Sequence, residues 1–392
     1  MNIAMISIGT PKKNGKGYEI LLYHRIKHLL GQGDKIILFI LGSKKAYDHD
    51  LKELCDFSDN NLTIEYFNNN KLTIIKNIIT TIFFTRLPLQ VGLCYNNALV
   101  KRLIDLDRNE ETEIIITNLI RPFECVPRHL KIPLALDVLD SMTLNFSRRV
   151  DNEIFFLKKF LLNLELRRLR RYEENLSKDI LVFVVAQKDL SYFLVNEKYC
   201  LELGIEYSAQ HKSAQINFNK YVFSGNMKYG PNLDAYNYLK DQIWRTIRSV
   251  NPCAELYVVG RNSDNLPNND DSIHLVGAVK NMSEYLNGAD IAIAPMRQGS
   301  GMQFKILEAL AVGLPVITTT MGLGSIKAEK EKDIFIFDDV IELKQILKKI
   351  NDVGDRSLER QNFIKTNHSW YEVNRRFRSY IKNTIKNRNK GR

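Results

Sequence analysis

The sequence predicts an α/β protein of two doubly wound domains, each a parallel sheet covered by helices on both faces. Short apolar runs alternate with longer helical patterns along nearly the whole chain. From Ala214 to Asn219 the chain turns polar and turn-like, and then the pattern starts again. The 392 residues are too many for one ordinary core and suit two domains of about 150 to 200 residues each. In open parallel sheets a ligand sits outside the carboxyl ends of the strands, where strand order reverses. Two such domains facing each other would form a deep cleft.

In order along the first half, the expected strands are "NIAMISI", "KIILFIL", "EIIITNL", "IPLALDV" and "ILVFVVA". Helices are expected over Tyr18 to Leu30 and from about Asn152 to Asn175. The second half offers "KYVFSG", "AELYVVG", "SIHLVG", "ADIAIAPM", "LPVITTT" and "DIFIF". Between the first two, Tyr236, Leu239, Ile243, Ile247 and Val250 recur at three- and four-residue spacing, which predicts one buried helix stripe. A short helix is expected near Met282 and another from Gln303. The expected domains are 1–213 and 214–372, with 373–392 a basic helix that returns to the first domain.

Composition narrows the function classes. With 44% hydrophobic and 26% charged residues the chain reads as globular. Cys55, Cys94, Cys125, Cys200 and Cys253 contain no C-x-x-C pair, which argues against a disulfide framework or a zinc site and points to a reducing, cytoplasmic compartment. The start "MNIAMISIGTPKKNGKG" reads as a first strand, not a signal peptide, and no apolar run approaches the ~18 residues a spanning helix requires. The net charge of +11 predicts an anionic partner: nucleic acid, a nucleotide substrate or a phospholipid surface. Nucleic acid would call for a basic groove interleaved with aromatics or a known module, and neither is found.

The stretch "APMRQGSGMQFKILEALAVGLPVITTT" carries the chemistry. Gly299, Ser300 and Gly301 follow a strand and precede a helix. Small residues there let backbone N–H groups approach an anion, and the helix start adds partial positive charge. A diphosphate would fit, with Arg297 as a bidentate fork and Lys305 as a point charge. Glu308 lies one turn beyond Lys305 on the same face and can accept both hydroxyls of a ribose. Spacing alone equally allows a simple turn followed by a surface ion pair.

Read together with its flanks, "RQGSGMQFKILEALAVGLPVITT" resembles the donor-site signature of retaining GT-B glycosyltransferases of the large family 4, or glycosyl transferases group 1, type. "FSGNMKYGPNLDAYNYL", "IWRTIRSVNPCAELYVVG" and "LDVLDSMTLNF" resemble other segments of one branch, so that the similarity spans roughly Ile132 to Ser325. The resemblance implies a GT-B fold. It implies that Glu308 binds the nucleotide ribose, that the helix start and Lys305 bind the diphosphate, and that Val279 and Lys280 lie near the base. Relatives carry a glutamate where this chain has Ser300. They also carry an Arg and Lys pair where it offers only Lys228, and Arg297 is the expected replacement. Gly15 and Gly17 correspond to a glycine loop against donor phosphates or acceptor, or form a plain strand-to-helix turn. Asp137 and Asp140 are expected acceptor or donor contacts, Asp140 also a catalytic candidate beside Arg297 and Lys305, or else helix caps.

The expected activity is transfer of a hexose-like sugar from a nucleotide-diphosphate donor to a bacterial surface glycan, such as capsule or O-antigen, free or lipid-linked. Retention of configuration is implied by the resemblance. No metal or other cofactor is expected. His24 and His28 lack a third ligand, and Asp48-His49-Asp50 and Asp105-Leu106-Asp107 do not sit convincingly at strand ends. Between Arg148 and Arg171, basic residues interleave with Ile154, Phe155, Leu157, Phe160, Leu161, Leu164 and Leu169. Such a helix docks on an anionic membrane or buries its apolar stripe in a core. The rival readings are a nucleotide-sugar epimerase on the same fold and a non-catalytic basic binding protein.

Overall fold

The computed structural model describes all residues except 14, 44–48, 152, 154, 207–217, 299–302, 325, 351–353 and 391–392. The chain forms two compact units, Met1–Leu203 with Val373–Arg392, and Gly204–Glu372. This division falls at 203/204, whereas the boundary expected at 213/214 lies outside the described residues.

Unit 1 is built on a seven-stranded sheet ordered β3-β2-β1-β4-β5-β6-β7. Its strands are β1 (Asn2–Ser7), β2 (Lys35–Leu41), β3 (Leu62–Phe67), β4 (Ile114–Asn118), β5 (Leu134–Asp137), β6 (Leu181–Val184) and β7 (Glu197–Cys200). Every pairing is parallel, from Asn2 opposite Lys35 to Val184 opposite Cys200. The central strands are apolar because helices cover both of their faces. The sequence reading missed β3 and β7, which form the two edges. Their residues are largely half-buried, so neither needs a continuous apolar run. The helix expected from about 152 runs Phe156–Glu174 and is preceded by a separate helix, Met142–Asp151.

The terminal helix Trp370–Lys390 buries Phe377, Ile381 and Ile385 among Leu22, Tyr23, Ile26 and Phe183 of unit 1. Two other unit 1 helices turn their apolar residues outward. In Lys71–Phe83 the buried positions are Asn77 and Thr81, while Leu72 is 77% and Phe83 74% exposed. In Phe156–Glu174 the stripe Phe156, Leu157, Phe160, Leu161 and Leu164 is exposed, and burial begins only toward Leu169 and Tyr172. The core role considered for the stripe thus holds at Leu169 and fails from Phe155 to Leu164, while Ile154 lies outside the described residues.

Unit 2 carries a six-stranded parallel sheet ordered β10-β9-β8-β11-β12-β13. Its strands are β8 (Lys220–Ser224), β9 (Glu255–Val259), β10 (Ile273–Gly277), β11 (Ile291–Ala294), β12 (Val316–Thr318) and β13 (Ile334–Ile336). Strand order reverses between β8 and β11, so ligand-sized space is expected at their carboxyl ends. From Gly230 to Val250 the chain is helical, with a π-helical turn at Leu239–Ile243. Tyr236, Leu239, Ile243 and Ile247 are buried as the stripe requires, but Val250 ends the helix 42% exposed. Among the described residues no helix is long and apolar enough to cross a membrane.

Candidate active site

Helix Phe304–Ala311 follows β11 and packs Ile306, Leu307 and Leu310 into the core, and that packing fixes where its other face points. Lys305 and Glu308 lie on that face, half-buried. The Lys305 ammonium donates to Asn232 Oδ1 at 2.7 Å, sits 3.7 Å from Met296 Sδ and lies 4.6 Å from the Phe223 ring centroid. Asn232 is held in turn by donating Nδ2 to the Asn226 carbonyl at 3.0 Å. Burial lowers the Lys305 pKa to about 8, against the opposing pull of Glu308. Burial raises the Glu308 carboxyl, only partly offset by Lys305. Among the described residues the Glu308 carboxylate accepts no hydrogen bond. A partly buried carboxylate without a partner is costly in a resting protein, and a ligand that supplies hydroxyls would remove the cost.

The ends of β11 and β12 beside this helix are tied together. Thr318 Oγ1 donates to the Ala294 carbonyl at 2.7 Å, and Thr319 Oγ1 donates to the Met296 carbonyl. At the ends of β8 and β9 the backbones approach so closely that a Cβ on Gly260, at φ 136°, would lie 2.1 Å from the Gly225 carbonyl oxygen. Only glycine fits there.

The remaining predicted donor residues divide. Gly299, Ser300 and Gly301 lie outside the described residues. Arg297 makes a bidentate pair with Asp234, at 3.2 and 2.6 Å, and stacks 4.6 Å from the Tyr238 ring, so its fork is already engaged. Lys228 is exposed at the end of β8, and among the described residues its ammonium has no partner. Val279 is half-buried beside the core and Lys280 exposed.

In unit 1 the glycine loop opens helix Gly17–Gly31. Glu19 Oε2 accepts from the Lys16 amide at 2.7 Å and would lie 2.5 Å from a Cβ on Gly15, so the chain's own carboxylate already sits at this helix start. A Cβ on Gly17 would meet Leu139 at 3.0 Å. The arrangement is that of a capped turn.

Asp137 needs correction as a ligand contact. It is 1% exposed, and Arg25, itself 1% exposed, donates to it from Nε at 3.1 Å and Nη2 at 3.5 Å. Arg25 also donates to Asn374 at 2.8 Å and lies 3.9 Å from the Phe377 ring. Its carboxylate is sealed inside unit 1. Asp140 is not a helix cap either. Glu173 and Ser141 cap helix Met142–Asp151, through bonds to the Met142 and Leu144 amides, while Asp140 accepts from Asn145 Nδ2 at 2.6 Å. Asp140 instead lines a cavity of about 470 Å³ together with Arg121, Asn145, Phe146 and Arg149. Neither arginine is ion-paired among the described residues. Leu119, held at φ 72°, forms another wall, and neighbouring buried Asn118 has no partner for either amide atom. Strain and unmet polarity concentrate at functional sites.

Among the described residues the one grouping with metal-ligand geometry is His49, Asp50 and Glu53. Glu53 is taken by Lys13 at 3.1 Å, Lys27 at 3.6 Å and the Tyr23 hydroxyl at 2.8 Å. Burial drives His24 down to about 3 and lowers His28, so both are neutral imidazoles. Sequence reasoning missed Asn232, Asp234, Arg121 and Asn145. Asn145 reaches Asp140 from five positions away, but Asn232 meets Lys305 across 73 positions and Asp234 meets Arg297 across 63, and no local spacing announces those two.

Residues 219–352 match the family described as Glycosyl transferases group 1. No curated protein matches the chain by sequence. Among solved structures, TarM superposes with a TM-score of 0.63 at 13% identity, over 97% of this chain and 98% of that one. A glycosyltransferase from Rickettsia africae gives 0.61 at 12%, over 98% and 99%. Anabaena HepE in complex with UDP-glucose gives 0.56 at 14%, over 98% and 100%. At such identities the likeness establishes the fold. The chain therefore has the two-sheet α/β architecture of GT-B glycosyltransferases, and the group 1 domain at 219–352 marks it as a transferase enzyme.

Proposed function

We propose that the protein transfers a sugar from a nucleotide-diphosphate donor to a surface-glycan acceptor, free or lipid-linked, with retention of configuration and without a metal ion. The observation that carries this reading is the Lys305 and Glu308 pair, drawn inward on one helix face at the carboxyl end of β11. Glu308, a carboxylate without a partner among the described residues, would take the ribose hydroxyls. Lys305, with Lys228 beside the end of β8, would take the diphosphate, joined by Arg297 once it leaves Asp234. HepE, of like fold, binds UDP-glucose.

In the reaction the bond from the anomeric carbon to the diphosphate oxygen breaks, and a bond from that carbon to the acceptor oxygen forms on the same face. The acceptor's proton passes to the departing phosphate oxygen. Lys305 and backbone amides at the helix start stabilise the negative charge that collects there. On the acceptor side, Asp140 and Asn145 in the unit 1 cavity would orient hydroxyls, with Arg121 and Arg149 supplying positive charge. The protein works in the cytoplasm, at the inner face of the membrane, where the basic helix Phe156–Glu174 meets anionic lipid.

A donor-hydrolysis screen across nucleotide sugars tests the reading. Turnover of one donor that survives EDTA, and a retained linkage by proton NMR, are the expected results. Full loss in EDTA restored by Mg²⁺ or Mn²⁺ would remove the metal-free step, and an inverted linkage would remove retention.

A further inference from the structure

Helix Lys71–Phe83 is built inside out. Its inner face is polar: Asn77 Nδ2 donates to the Tyr95 carbonyl at 2.9 Å, and Thr81 lies against Gly92 so closely that a Cβ there would stand 1.9 Å from its Oγ1. Its outer face is apolar, with Leu72, Ile75, Ile79, Ile82 and Phe83 all exposed and Phe84 just beyond at 78%. A helix that meets only water places its residues the other way round. So much contiguous apolar surface marks an interaction site.

The second inverted helix is next to it. Arg168, on Phe156–Glu174, donates from Nη2 to the Ile82 carbonyl at 3.4 Å, and Glu165 accepts from the Leu89 amide at 2.7 Å. Exposed Phe155, Phe156, Leu157, Phe160 and Leu161 therefore lie on a helix that touches the first one near Ile82. Just past the Arg168 contact, a cavity of about 550 Å³ is lined by Arg86, Arg128, Arg171 and Arg388, with one acid, Asp179, against an apolar wall that includes Phe123 and Leu130. Among the described residues none of these four arginines is ion-paired. From Lys71 to Arg86 the chain contains Lys71, Lys76 and Arg86 and no acid.

We infer that helix Lys71–Phe83 inserts into an anionic phospholipid surface beside helix Phe156–Glu174, with the arginine-lined cavity holding a lipid phosphate. This rests on the membrane association proposed above and deepens it from an electrostatic contact to an inserted one. Charge selects the occupant. A second copy of the chain would bring arginine against arginine, whereas lipid phosphates neutralise them while the acyl region receives the leucine, isoleucine and phenylalanine side chains.

Flotation of the full chain with phosphatidylcholine vesicles, with and without phosphatidylglycerol, tests this at low and high salt. The wild type should float with the anionic vesicles. Ile75→Asp with Ile79→Asp should weaken flotation by about tenfold or more, and these exposed positions should leave the melting temperature unchanged. Phe83→Trp should show a blue-shifted emission, over the wild-type signal, only with anionic vesicles. Arg128→Gln with Arg171→Gln should abolish the preference for phosphatidylglycerol. Wild-type flotation by the Asp variant, or an unshifted Phe83→Trp emission on floated protein, would overturn the insertion. A dimer in light scattering that the Asp variant dissolves would also overturn it and assign the face to a second copy. Salt-insensitive flotation equal on both vesicle types would overturn the electrostatic association itself. Donor hydrolysis in solution reads the catalytic proposal separately, because these substitutions are all in unit 1 whereas Lys305 and Glu308 belong to unit 2.

Discussion

Asp137 in unit 1 and Lys305 in unit 2 mark the carboxyl ends of parallel strands, one ending β5 and the other opening the helix after β11. Both looked like ligand groups in the sequence. Asp137 is closed in by Arg25, which Asn374 and Phe377 hold from the terminal helix. Lys305 donates to the neutral Asn232 and feels Glu308 one turn away, a carboxylate that accepts no hydrogen bond among the described residues. The difference lies in whether the fold closes the opposite charges into a hydrogen-bonded pair. Where it does, the group serves stability, and where it does not, burial leaves a demand that a ligand can meet.

The largest test of this contrast is Asp137→Ala. It strands the Arg25 guanidinium inside unit 1 and should cost about 3 to 5 kcal/mol in urea unfolding. A cost below about 1 kcal/mol would show that the pair is not the sealed unit described. Lys305→Ala and Glu308→Ala should behave in the opposite way. Each should weaken nucleotide diphosphate binding by about 1.5 to 3 kcal/mol in calorimetry and leave the melting temperature at or above wild type. Unchanged affinity in both would leave the donor site without support.

The pH dependence sharpens the contrast, because the two effects of Lys305 have opposite signs. Its folded pKa, about 8, lies below its ordinary 10.5, so between these values the unfolded chain binds more protons and stability from this residue rises with pH. Its charge is lost over the same range, so diphosphate affinity should fall as pH rises through 8. Lys305→Arg, charged throughout, should flatten the affinity profile. The smallest effect belongs to the Arg297 and Asp234 pair, where Arg297 is 47% exposed. Asp234→Asn should change stability by less than about 1 kcal/mol and, by releasing Arg297, modestly raise diphosphate affinity.

Some of this was legible in the sequence. The central strands of both units could be read from apolar runs, because a strand covered on both faces has few polar positions, and the unit 2 edges β10 and β13 could be read because they too are mostly apolar. Edge strands β3 and β7 could not, because half-buried residues such as Glu65 and Lys198 serve there as well as apolar ones. Lys305 and Glu308 could be placed on one face from their spacing of three, which the helix itself imposes.

What the sequence determined by itself was therefore local: periodicity, the faces that residues share, and the glycine-rich turns between strand and helix. Tertiary structure decided which face meets water and which charges meet each other. The pattern of Lys71–Phe83 names an apolar stripe, yet only its packing through Asn77 and Thr81 turns that stripe outward. Arg25 finds Asp137 across 112 positions and Asn374 across 349, and closing the chain over such distances depends on the whole core. Local forces fix dihedral angles and periodicity residue by residue, whereas a partner's identity is settled only when distant segments are brought together.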